Sequence, residues 1–92
     1  MVDKIHCVHI LVEKHSEALQ ALDRLKKGEK FAEVAKQVSR CPSKKRGGDL
    51  GWFGRGQMAK EFEKTAFTLE KGQMSSEPVK TQYGYHIIKR LE

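Results

Sequence analysis

Cysteine is scarce in this chain: 92 residues hold two, Cys7 and Cys41. That is too few for a disulfide framework and suits a reducing compartment. Proline is equally scarce, at Pro42 and Pro78, so long stretches are free to form regular elements. No apolar run approaches the ~20 residues that cross a bilayer as a helix. Met1-Val2-Asp3-Lys4 leads straight into a strand pattern and not into a signal peptide. Nothing repeats at a fixed period, which excludes a solenoid or propeller. These absences predict one soluble, cytoplasmic domain over residues 1–92, with a core near the small end of what folds alone.

What the chain does have is positive charge and a glycine-rich stretch, and the two coincide. The net charge is +6. Residues 1–40 contribute an excess of two, 41–60 an excess of four and 61–92 none. The middle excess comes from Lys44, Lys45, Arg46, Arg55 and Lys60, around a run from Gly47 to Gly56 in which five of ten residues are glycine. Glycine permits positive φ and close approach of another chain. A mere linker would not also carry Cys41, Leu50, Trp52, Phe53 and Met58, residue types that favour burial or binding. The segment is read as a shaped loop entering a short strand. Its cations, Lys44, Lys45 and Arg46 above all, draw anionic partners, whether acidic peptide, nucleic acid or membrane surface.

Ile5 to Val12 reads as a central strand buried on both faces, with Cys7, His9 and Leu11 on one side and His6, Val8, Ile10 and Val12 on the other. A helix follows, with Ser16 as its expected N-cap, apolar positions at Ala18, Ala21, Leu22 and Leu25, and Gly28 closing it. Phe31, Val34, Ala35 and Val38 stripe a second helix, which Pro42 forces to end by about Ser39 or Arg40. Leu50 to Phe53 is a short strand, and Phe62, Ala66 and Phe67 mark a third helix from about Ala59 to Thr68. Glu77 to Lys80 adds an edge strand, Thr81 to Gly84 a turn, and Tyr85 to Leu91 a last strand with His86 and Ile88 on one face. First and last strands are expected to pair antiparallel at the centre of an α+β fold.

Taken together, His9-Ile10-Leu11-Val12, Cys41-Pro42-Ser43, Gly47-Gly48-Asp49-Leu50-Gly51, Gly56-Gln57-Met58, Phe62 and Thr81-Gln82-Tyr83-Gly84-Tyr85-His86-Ile87-Ile88 resemble the parvulin family of peptidyl-prolyl cis/trans isomerases. The likeness runs from about Lys4 to Glu92. It implies a four-stranded antiparallel sheet surrounded by helices (β-α3-β-α-β2), with a very short helical turn near Pro42 to Lys45. It implies catalysis without a cofactor on proline-containing polypeptides. Residue by residue, it places the paired histidines at His9 and His86, the active-site thiol at Cys41, and the threonine that bonds the second histidine at Thr81. The pocket for the proline ring falls on Leu50, Met58 and Phe62. Family members directed at phosphoserine or phosphothreonine carry a run of arginines between the first strand and the first helix. Here only Glu13, Lys14 and His15 stand there, so specificity independent of phosphorylation is expected.

Rotating an X-Pro bond means crossing ~18–20 kcal/mol as the amide loses its resonance. No covalent bond need break: an apolar hollow that strips water and holds the amide twisted is sufficient. Cys41 is read as a polar neighbour of the twisted amide in preference to a nucleophile. His6 and His15 are read as satisfied core or edge residues and not as catalysts. Zinc is disfavoured, because alternation turns His6 away from Cys7 and His9 and no C-x-x-C pair exists. Two rivals remain at this point: a binding module that uses the basic loop without catalysis, and a Cys-His thiol hydrolase. A monomer is expected.

Overall fold

The computed structural model describes residues 3–92; the reading of Met1 and Val2 lies outside them. Strand β1, Lys4–Val12, runs up the middle of a four-stranded antiparallel sheet of order β2-β1-β4-β3. Its apolar residues are buried on both faces, as a central strand requires. Strand β4, Gly84–Arg90, pairs with it from Cys7 opposite Arg90 to Val12 opposite Tyr85. The two flanks are short: β2 is Asp49–Gly54 and β3 is Val79–Thr81. The edge strand β3 begins two residues later than the apolar pattern suggested, Glu77 and Pro78 standing before it.

Helices α1 (His15–Lys26) and α2 (Phe31–Val38) cover one face of the sheet, and α3 (Lys60–Thr68) covers the other. On the first face Ile10, Val12 and Ile87 pack with Ala18, Ala21, Leu22, Val34 and Ala35. On the second, Ile5, Cys7 and Ile88 pack with Phe53, Phe62, Ala66 and Leu69. Both sets follow the period-two and period-3.6 patterns of the sequence. Helix α1 starts one turn corner earlier than expected. Lys14 is its N-cap, its N–H donating to Oε1 of Glu17 at 3.1 Å, and Ser16 lies inside the first turn. Glu17, three residues after the cap, closes the start of the helix from inside, in place of the side-chain cap expected from Ser16.

Between α2 and β2 the chain makes a 3-10 turn, Pro42–Arg46, with Pro42 at its start, where a missing N–H costs nothing. The following Gly48 has φ +87° and lies against the carbonyl of His9, where a Cβ would collide with backbone. Its own carbonyl accepts the N–H of His9 at 2.9 Å. The other chain that the glycine run was expected to admit is therefore the protein's own β1, and the run docks the 3-10 turn beside the sheet.

Candidate active site

His9 on β1 and His86 on β4 lie on the α3 face of the sheet, on neighbouring strands. In register His9 faces Ile88 and Leu11 faces His86, so the two imidazoles are diagonal neighbours. Their Nδ1 atoms are 3.0 Å apart and their rings are tilted by only 20°. Nε2 of His86 is 2.7 Å from Oγ1 of Thr81, at the end of β3. Thr81 Oγ1 also accepts the N–H of Tyr83 at 3.2 Å, which fixes the hydroxyl beside His86. The Nδ1–Nδ1 contact requires one ring to donate and the other to accept, and Nε2 of His9 is buried without a hydrogen-bond partner among the described residues. Thr81, His86 and His9 form a chain of hydrogen bonds inside a buried site.

Burial sets the charge of the two rings. Desolvation lowers the pKa of His9 to about 4, the neighbouring His86 adding to the effect, and desolvation lowers that of His86 to about 4 as well. Both rings are neutral at pH 7. Phe62 from α3 presents its ring at close to a right angle to each, with centroids 5.5 Å from His9 and 5.2 Å from His86. It is the apolar wall that excludes water from them.

In front of the dyad is a hollow of about 320 Å³. It is bordered by His9, Cys41, Leu50, Met58, Phe62 and His86, so six of the seven residues singled out from the sequence converge on it. The seventh, Thr81, acts from behind through His86. Sequence reasoning missed the rest of the rim: Leu11, Arg40, Pro42, Ala59 and Tyr83. Leu11 and Ala59 carried a signal, since each adjoins a recognised position on the same element. Tyr83, 64% exposed in the turn before β4, carried none, because a tyrosine in a polar turn has no pattern of its own. A larger, shallow groove of about 580 Å³ lies on the opposite flank of α3, between Thr65 and Val79. Its lining mixes polar and apolar groups and, among the described residues, shares none with the hollow.

The two cysteines differ. Burial pushes the Cys7 thiol up to about 11, Arg90 pulling it partly back, so it behaves as a small apolar core residue. Cys41 is half-buried at the mouth of the hollow, held by the 3-10 turn that it precedes. No hydrogen bond joins Cys41 to either imidazole: three of the four ring nitrogens are taken up by the dyad and Thr81. His6 is a satisfied strand residue outside the hollow. Its Nε2 is 2.6 Å from Oδ1 of Asp49 on β2, and its ring lies 5.6 Å from that of Trp52. His15 packs against Tyr85 on the other face of the sheet, remote from the dyad.

Comparison with known proteins agrees with this geometry. Residues 10–92 match the family model described as Rotamase, PPIC-type PPIASE domain. The chain is 56% identical over 87 residues to the foldase protein PrsA of a Geobacillus strain, covering 94% of this chain and 31% of that one. It therefore spans about a third of the length of the curated relatives it matches. Among solved structures, NmPin, the parvulin of Nitrosopumilus maritimus, is 50% identical with a TM-score of 0.88, and 100% of this chain covers 99% of it. CsPin, from the psychrophilic archaeon Cenarchaeum symbiosum, is 57% identical with a TM-score of 0.85, over 100% of this chain and 95% of that one. A neutral, buried histidine pair behind an apolar hollow, on a fold shared from end to end with these proteins, has one reading: the chain belongs to the PPIC-type peptidyl-prolyl cis/trans isomerase family, as a rotamase domain of parvulin type.

Proposed function

We propose that the domain turns X-Pro bonds of extended or unfolded polypeptides without forming a covalent bond, and so assists their folding. The observation that carries this is the neutrality of His9 and His86 beside an apolar hollow that ends at a half-buried thiol. The proline ring sits against Leu50, Met58 and Phe62, which displace water from it. The amide to be turned then lies at the polar end, by Cys41 and the dyad. Taken out of water and held twisted, the amide loses resonance more readily than in solution, and the site binds it best at that point. A thiolate nucleophile is ordinarily hydrogen-bonded to its base, and no hydrogen bond joins Cys41 to His9 or His86. Cys41 acts as a polarisable neighbour of the turning carbonyl.

The connection between β1 and α1 is two residues long, Glu13 and Lys14, which supports recognition of proline without a phosphate. The exposed Lys44, Lys45 and Arg46 on the 3-10 turn support a role in drawing anionic partners to this rim. The protein is proposed to act as a monomer, and its two unpaired thiols support a cytoplasmic location. The test is exchange spectroscopy on a proline-containing peptide with Cys41→Ser, which should keep the exchange rate within about fivefold of the parent protein. Complete loss on Cys41→Ser, with the fold intact, would replace this mechanism by a covalent one.

A further inference from the structure

Arg40 stands where two concavities meet. It borders the apolar hollow next to Cys41, and it borders a separate depression of about 520 Å³ together with Glu17, Gln37 and Lys44. The backbone fixes it there. Its N–H donates to the carbonyl of Leu11 at 2.7 Å, while the N–H of Leu11 donates to Ser39 Oγ at 3.1 Å. Residues 39–40 are thus tied to β1 two positions beyond His9. The guanidinium itself is exposed, with Nη1 3.4 Å from Oε1 of Glu13, which is more exposed still. An exposed pair of that length is screened and weak in water. A carboxylate arriving with a substrate can take the place of Glu13.

Among the eleven residues that border the hollow, Arg40 is the only aspartate, glutamate, lysine or arginine. The histidines beside it are neutral at pH 7. A polypeptide with proline in the hollow places the carbonyl of the preceding residue at the polar end, by Cys41. The side chain of that preceding residue leaves one bond further on, and Arg40 is the covalent neighbour of Cys41. Beyond Arg40 the depression continues to Lys44, and with one carboxylate, Glu17, against two cations its lining carries a net positive charge.

We propose that Arg40, backed by Lys44, selects substrates by the residue that precedes proline and favours aspartate or glutamate there. The inference rests on the isomerase reading above. Recognition is of a carboxylate by a guanidinium, a charge-assisted contact that suits an exposed rim and depends on salt.

The test compares kcat/KM for four peptides identical except for Glu, Gln, Leu or Lys before proline. At low salt the Glu/Gln ratio should be about 3–10, and it should fall towards one at ~0.5 M salt. Arg40→Gln should bring the ratio close to one, and Arg40→Glu should turn the preference towards Lys. Lys71→Gln, which removes one positive charge away from the hollow, should leave the ratio unaltered. A Glu/Gln ratio of one in the parent protein, or a ratio untouched by Arg40→Gln, overturns the proposal. So does a phosphoserine peptide turned over more than ~10 times faster than the glutamate one, which would make the rim a phosphate site. Isomerisation indifferent to the preceding residue removes this inference alone, whereas no acceleration of any peptide removes the isomerase reading with it.

Discussion

Lowering the pH from 7 to 5 should strip stability from this domain in a way that an ordinary surface histidine cannot produce. An imidazole in the unfolded chain titrates near 6.5, while His9 and His86 in the fold titrate near 4. A depressed folded-state pKa means that the unfolded chain binds more protons between these values. The stabilisation is thus whole above pH 6.5 and is lost as pH falls towards 4. At pH 5 an unfolded imidazole is almost fully protonated and a folded one about one-tenth so. The difference is about 2 kcal/mol for each ring and about 4 kcal/mol for the pair. For 92 residues the total stability is of order 5–14 kcal/mol, so the loss is a large fraction of the whole. With a urea m value near 2 kcal/mol/M, the denaturation midpoint should drop by roughly 2 M between pH 7 and 5. Asp49, whose carboxyl is held below its ordinary value through His6 and the Gly51 N–H despite burial, loses its contribution only below that range. Circular dichroism melts in urea at several pH values read the slope. Equal midpoints at pH 7 and 5, or a ring carbon of His9 or His86 titrating near 6.5 in the folded protein, would refute a neutral buried dyad.

The same neutrality predicts a flat profile of kcat/KM from about pH 5.5 to 8, with no ionisation near 6.5; a bell centred there would assign acid-base chemistry to the dyad. Met58→Ala trims the partly buried wall of the hollow and should cost about 1–2 kcal/mol of stability but roughly tenfold in kcat/KM, mostly through KM, measured on a single X-Pro peptide. Phe62→Ala removes a ring that is 2% exposed and touches both imidazoles, so about 3–5 kcal/mol should be lost in denaturation, enough to obscure any kinetic role. Gly48→Ala and Gly51→Ala should separate, although φ is positive at both. A methyl at Gly48 meets the backbone of His9, whereas at Gly51 it meets nothing within 4 Å. The Gly51 variant should lose about 1–2 kcal/mol and stay active, and the Gly48 variant should lose both fold and activity, as followed by thermal melting and peptide exchange.

Much of this was legible because periodicity and burial report the same thing. Alternation grouped His9 with Cys7 and Leu11, and His86 with Ile88, and the structure shows that both groups lie on the face that α3 covers. What no period carries is a contact made by an irregular segment. Arg40 and Tyr83 reach the hollow because backbone hydrogen bonds to Leu11 and Thr81 bend the chain there, and nothing in their residue types announces it. Capping failed at α1 for a related reason: Ser16 has the right chemistry, but Glu17 lies at the spacing from Lys14 that captures the free N–H first. The 3-10 turn came from family likeness alone, since five residues are too few to show a helical stripe.

His6 shows how a residue outside the hollow can matter to it. The dyad exists only in one register of β1 against β4, because a slip of one residue turns His9 or His86 to the opposite face. On its other side β1 pairs with β2 from Lys4 opposite Gly54 to His6 opposite Trp52, and then shifts, so that Val8 faces Asp49. That irregularity brings the Gly48 carbonyl to the N–H of His9 and sets the 3-10 turn, with Cys41 ahead of it, beside the dyad. A bulge is a costly place to leave polar groups unpaired. Asp49 spans it, accepting from His6 Nε2 at 2.6 Å and from the Gly51 N–H at 2.7 Å. His6 and Asp49 therefore hold the thiol side of the site in line with the histidine side. His6→Leu should keep the sheet, since position 6 is only partly buried, while letting the 41–49 segment shift against β1. The expected sign is a fall of several-fold in kcat together with broadened amide signals from Cys41 to Gly48. A variant with parental kcat and sharp signals there would show that the backbone bonds of Gly48 hold the segment unaided.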